Sequence, residues 1–97
     1  MEFIAQRGES WRVDRLVKAS KIFCTIVGIN RNQLDLLVTR VIDHKGDLMV
    51  HWLEIPTERF MRAFEDAWKL CGEQTCWHYY TDQNGDEHKI ADWMPIA

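Results

Sequence analysis

Apolar and polar positions separate most cleanly in the second half of the chain. Phe60, Phe64, Ala67, Trp68 and Cys71 follow an i, i+4, i+7, i+8 spacing, which puts them on one side of a 3.6-residue turn. Met61, Ala63 and Leu70 widen the stripe, while Glu58, Arg59, Arg62, Glu65, Asp66 and Lys69 gather opposite. Thr57, after Pro56, suits an N-cap, Glu58 suits the positive end of the helix dipole, and Gly72 suits the left-handed stop. The pattern predicts one amphipathic helix over 57–71, braced by Glu58/Arg62 and Glu65/Lys69 at i, i+4.

The remaining pattern predicts strands. Segments 34–42 and 48–55 are rich in Val, Ile, Leu and Trp and flank a turn-rich break at 43–47. A five-residue loop there sets Val38 opposite Trp52 and Thr39 opposite His51. Leu36, Val38 and Ile42 fall on one face and Leu37 and Val41 on the other, the signature of a strand covered twice. Segment 22–29 reads as another such strand, ended by the turn-forming run 28–32. Segments 75–80 and 87–90 flank Asn84-Gly85, a strong hairpin signal. Pro95 excludes a central strand at the end of the chain, where Trp93 is placed to pin the tail to the body. Residues 10–20 read two ways: a helix capped by Ser10 with Val13, Leu16 and Val17 inward, or a strand alternating through Trp11, Val13, Arg15 and Val17. The Trp and the two Val tip the reading to strand.

Together these elements predict an α+β fold. Its sheet is twisted, mostly antiparallel and of about five or six strands, with the 57–71 helix packed on it. Covering both faces calls for either a partly closed barrel or a dimer built across a sheet edge or the aromatic hairpin.

Length, 97 residues, fits one domain, 1–97, with no repeat and no linker composition. Five Trp, four Phe and two Tyr supply the bulk that a small core requires. No apolar run is long enough to span a membrane, and the first residues lack the pattern of a signal peptide. Three cysteines, an odd number, point to reduced thiols and a cytoplasmic setting. The net charge of −3 hides an asymmetry, since seven bases against four acids through residue 40 give +3 and the remainder carries −6. Neither half contains a block of like charge.

The candidate chemistry is sparse. Cys71, Cys76, His78 and His88 form the one set resembling zinc ligands, with a spacing of C-x4-C-x-H-x9-H. Against it, Cys71 falls within the apolar helix stripe, where a free thiol behaves as a small hydrophobe. The expectation is therefore no metal and no cofactor. Cys76 and His78 share a strand face, but the sequence names no third group to orient them, and phosphate-loop and nucleophile-elbow motifs are absent. An enzyme is not the expected reading.

Two binding readings remain. Arg12, Arg15, Lys18 and Lys21, with Trp11 among them, could neutralise phosphates beside a stacking ring, which makes single-stranded nucleic acid or a small ligand the alternative partner. The acidic pI of about 5.7 and the lack of a known RNA-binding signature weigh against it. The leading expectation is a non-catalytic protein that binds another protein, or itself, through Trp77 and Tyr79, with Trp52 and Trp93 as further anchors. In size and in its lack of motifs the chain resembles the small orphan proteins of bacterial mobile elements, phage inhibitors and integron cassette products. That resemblance carries no site residues with it.

Overall fold

The structure, a computed structural model, describes residues 1–5, 10–73 and 75–90. Its longest element is a helix, α1 (Ser10–Val27), where the sequence pattern had suggested two strands. Leu16, Ala19, Ser20, Phe23, Cys24 and Val27 are buried along it at helical spacing. That stripe emerges only when 10–20 and 22–29 are read as one segment. Taken separately, the β-branched and aromatic run 22–27 mimics a buried strand, and tertiary burial overrides that preference. Gly28, at φ +78°, ends the helix as both its own N–H and that of Ile29 return to the carbonyl of Cys24. Asn30 then caps a short helix, α2 (Arg31–Asp35), in a reciprocal box with Gln33, where a turn over 28–32 and a strand starting at Leu34 were expected.

The third helix, α3 (Glu58–Leu70), matches its expectation: Thr57 is the N-cap and Gly72 follows the C-cap Cys71. Met61, Ala63, Phe64, Ala67 and Trp68 are buried on it and Arg62 bonds Glu58. Leu70 departs from the expected stripe and is exposed.

Five strands form one open sheet in the order β1 (Glu2–Ala5), β2 (Val38–His44), β3 (Asp47–Trp52), β4 (Cys76–Thr81), β5 (Glu87–Lys89). It is mixed rather than mostly antiparallel, and it does not close into a barrel. β1 runs parallel to β2 and β3 parallel to β4, while β2/β3 and β4/β5 are antiparallel hairpins. The cause is connectivity. A helical crossover lies between β1 and β2 and another between β3 and β4, and such a crossover returns the chain in the same direction.

The central hairpin shows how register is set. Its loop is two residues, Lys45 and Gly46, both with positive φ as the tight primed turn requires, rather than the five expected. A two-residue loop moves the pairing by one, so that Arg40, not Thr39, faces His51. An irregularity at Thr39 then removes the offset, and Val38 faces Trp52 as predicted. Thr39 itself donates its hydroxyl to the carbonyl of His51 at 3.1 Å.

The core lies between the sheet and α1/α3. Phe23 stacks on Phe64 at 4.1 Å, and Trp52 meets both rings edge-on at 5.6–6.0 Å. At the turn end of the sheet, Asp43 is buried and accepts from Arg12 of α1 at 3.0 Å and from the N–H of Gly46 at 2.8 Å. The Trp68 indole closes the same corner by donating to the carbonyl of Gly46.

Candidate functional site

Strand register sorts the side chains of the sheet into transverse rows. On the helix-covered face, Phe3, Val41, Val50 and His78 form one row and Ala5, Asp43, Leu48 and Cys76 the next. On the opposite face, Glu2, Arg40, His51, Tyr79 and Lys89 make a polar and aromatic row across all five strands. Beside it, Ile4, Ile42, Met49 and Trp77 make an apolar row across four strands. Among the described residues none of those four apolar side chains belongs to the core cluster or packs against it, and each is partly exposed. This helix-free face is the candidate site.

Its polar row is tied together. His51 Nδ1 lies 2.7 Å from Glu87 Oε2, and since a carboxylate only accepts, the imidazole donates. Arg40 Nη2 reaches the same oxygen at 3.1 Å. The His51 ring stacks on Tyr79 at 4.9 Å and 12°. Its other nitrogen, Nε2, is buried without a hydrogen-bond partner. Burial holds the His51 pKa below its ordinary value despite the pull of Glu87 in the other direction. The Tyr79 phenol is pushed up, first by burial and then by the Glu87 charge. Lys89 Nζ sits 3.7 Å above the centre of the Trp77 ring, a cation–π contact at the β5 edge.

Of the four residues expected to bind a partner, Trp77 and Tyr79 lie on this face. Trp52 does not, because alternation along β3 turns it to the helices, where it is 1% exposed and donates its indole N–H to His78. Trp93 lies outside the described residues. Arg40, Met49, His51 and Glu87 were not anticipated. Single-strand alternation groups Met49 with His51, but only the parallel β3/β4 pairing sets them beside Trp77 and Tyr79.

The four expected zinc ligands are dispersed. Cys71 sits at the end of α3 with its thiol toward the carbonyl of Arg15, and His88 is exposed and bonded to Asp82 at 2.7 Å. Cys76 and His78 are buried together, Sγ to Nε2 at 3.7 Å. Among the described residues no group of three or more His, Cys, Asp or Glu side chains is placed to hold a metal ion.

Cys76 and His78 do acquire a third group, one that the sequence could not name. Glu65 of α3 lies 3.2 Å from His78 Nε2, giving a Cys–His–Glu arrangement. It is closed to substrate. Cys76 is fully buried, and burial together with the Glu65 charge pushes its thiol pKa well up, the reverse of what a nucleophile needs.

The basic segment lies on α1, and its arginines face carboxylates of this same chain. Arg12 pairs with buried Asp43 and Arg15 with Glu73, while both guanidinium groups lie near the Trp11 ring. Lys18 and Lys21 are exposed. Elsewhere, Leu36, Leu53 and Ile55 are exposed around an open cavity of about 220 Å³ that is also lined by Phe60.

No protein family matches the chain, and no curated protein or solved structure matches it significantly. Among the described residues no helix is long and apolar enough to cross a membrane.

Proposed function

We propose that this chain is a non-catalytic binding protein that takes another protein on the helix-free face of its sheet, around Trp77 and Tyr79. The observation carrying this reading is the apolar row Ile4–Ile42–Met49–Trp77, which spans four strands yet stands outside the core cluster of the described residues. Charged groups flank it, with Glu2 at one edge and Lys89 at the other, and an apolar centre within a polar rim is the anatomy of a protein interface. Trp and Tyr suit such a site because they bring large contact area with few rotatable bonds.

A photoreactive amino acid tests this when placed at Glu2 or Lys89, on the rim of the face, and at Lys69 of α3 as the control. In cells producing the chain, both rim positions are expected to crosslink to a polypeptide and Lys69 is not. Crosslinking that is equal at all three positions, or absent from the rim, overturns the reading.

A further inference from the structure

We propose that the partner of this face is a second copy of the chain, stacked sheet on sheet about a two-fold axis that runs along β3. This rests on the reading of the face as a protein-binding surface and names its occupant. Charge complementarity singles out this occupant. A two-fold axis lying between two stacked sheets and parallel to the strands keeps every residue at its own level and reverses strand order. β1 of one copy then lies over β5 of the other, β2 over β4, and β3 over itself.

Applied to the observed rows, that operation sets Glu2 over the partner's Lys89, and Arg40 over the partner's Tyr79 ring. Ile42 meets the partner's Trp77 and Met49 meets its own counterpart, while His51 lies beneath Glu87 and Tyr79 of its own chain, 4% exposed. Apolar faces apolar, acid faces base, and cation faces ring. The alternative axis, across the strands, lays β1 on β1 and β5 on β5 and so brings Glu2 toward Glu2 and Lys89 toward Lys89. Charge therefore selects the axis along β3.

The geometry tolerates this packing. Aligned sheets cross at about 30°, which two strands from the centre displaces facing residues by about 5 Å, within reach of Lys and Glu side chains. The apolar row offers only four side chains, where a standard interface engages about 20–30 residues a side, so the dimer is expected to be weak and reversible.

The test is a charge swap read by analytical ultracentrifugation from micromolar to millimolar concentration. Glu2 and Lys89 occupy opposite edges of the sheet, about 19 Å apart across four strand spacings, so they cannot pair within one copy. The unmodified chain is expected to shift from single to double mass as concentration rises. Glu2→Lys alone and Lys89→Glu alone each weaken association about two- to thirtyfold, since the pair occurs twice in the dimer, and the double variant recovers it. Ile55→Ser, in the Leu36/Leu53 cavity, leaves association unchanged. A monomer at every concentration, a double variant no better than the singles, or loss of association with Ile55→Ser overturns the inference. If the chain is monomeric while Glu2 and Lys89 positions still crosslink to another polypeptide, the second copy is excluded and the binding face stands. If it is monomeric and the rim does not crosslink, both fall.

Discussion

The indole N–H of Trp52 donates to Nδ1 of His78 across 2.9 Å, and this bond decides which imidazole nitrogen holds the proton. An accepting Nδ1 leaves the hydrogen on Nε2, which points toward Glu65 Oε2 at 3.2 Å. A buried polar chain thus runs from β3 through β4 to α3. Trp52→Phe keeps most of the ring volume but strips Nδ1 of its donor in the core. The expected loss is about 0.5–1.5 kcal/mol, the net worth of one hydrogen bond, read as a lower urea midpoint. Nitrogen-15 NMR of the unmodified protein is expected to place the His78 hydrogen on Nε2, and an Nδ1–H tautomer would contradict the geometry.

The Arg12–Asp43 pair ties α1 to the central hairpin turn. Asp43 is fully buried as a side chain and Arg12 is one-fifth exposed. Asp43→Ala removes two accepted hydrogen bonds, one of them charge-assisted from a guanidinium that is only one-fifth exposed. The expected destabilisation is about 1.5–3 kcal/mol, the worth of a hydrogen bond to a charged group. Adding Arg12→Leu to Asp43→Ala is expected to recover part of that loss in urea unfolding. No recovery would mean that the turn bond to Gly46, and not the charge, dominates.

His51 makes stability depend on pH in a definite direction. Burial lowers its folded-state pKa below the ordinary value of 6.5, so the unfolded chain takes up a proton first as pH falls. Its contribution is present in full above that ordinary value and is lost as pH drops through the lowered folded pKa. Urea midpoints are expected to decline on acidification below about pH 6.5 and to decline less in His51→Asn. A wild-type decline no steeper than that of the variant would show that other groups carry the acid sensitivity.

Cys76 is expected to be the last thiol to react. All three cysteines are buried with raised pKa values, but only Cys76 is raised well above the ordinary range, and Glu65 adds to the shift. Cys71 has Lys18 and Arg15 pulling its pKa the other way. Alkylation with iodoacetamide, followed by peptide mass spectrometry, should modify Cys71 and Cys24 before Cys76. Labelling of Cys76 is expected to require unfolding. Early labelling at Cys76 would revive the Cys–His–Glu set as a reactive site.

Much of the fold was legible where a signal is local. The α3 stripe, its Thr57 cap and the Asn84-Gly85 hairpin depend on neighbours within a few residues, and each stands where the pattern put it except Leu70, which is exposed. Val38 opposite Trp52 was also correct, but through two compensating departures, a shorter loop and an irregularity at Thr39. The α1 segment failed because 22–27 has the composition of a strand, and only packing against α3 and the sheet makes a helix the lower-energy choice. With α1 misread, the crossover between β1 and β2 vanished, and the parallel pairs vanished with it.

The sequence by itself determined the elements whose physics is short-range: one amphipathic helix, two hairpins, and strand alternation that puts Trp77 and Tyr79 on one face. Tertiary structure alone decided that Trp52 turns inward while Met49 and His51 turn outward to join them. It alone supplied Glu65 to His78 and aligned Glu2, Arg40, His51, Tyr79 and Lys89 in a single row. The physical reason is that register between strands is set by turn length and burial across the whole sheet. A shift of one residue exchanges its two faces.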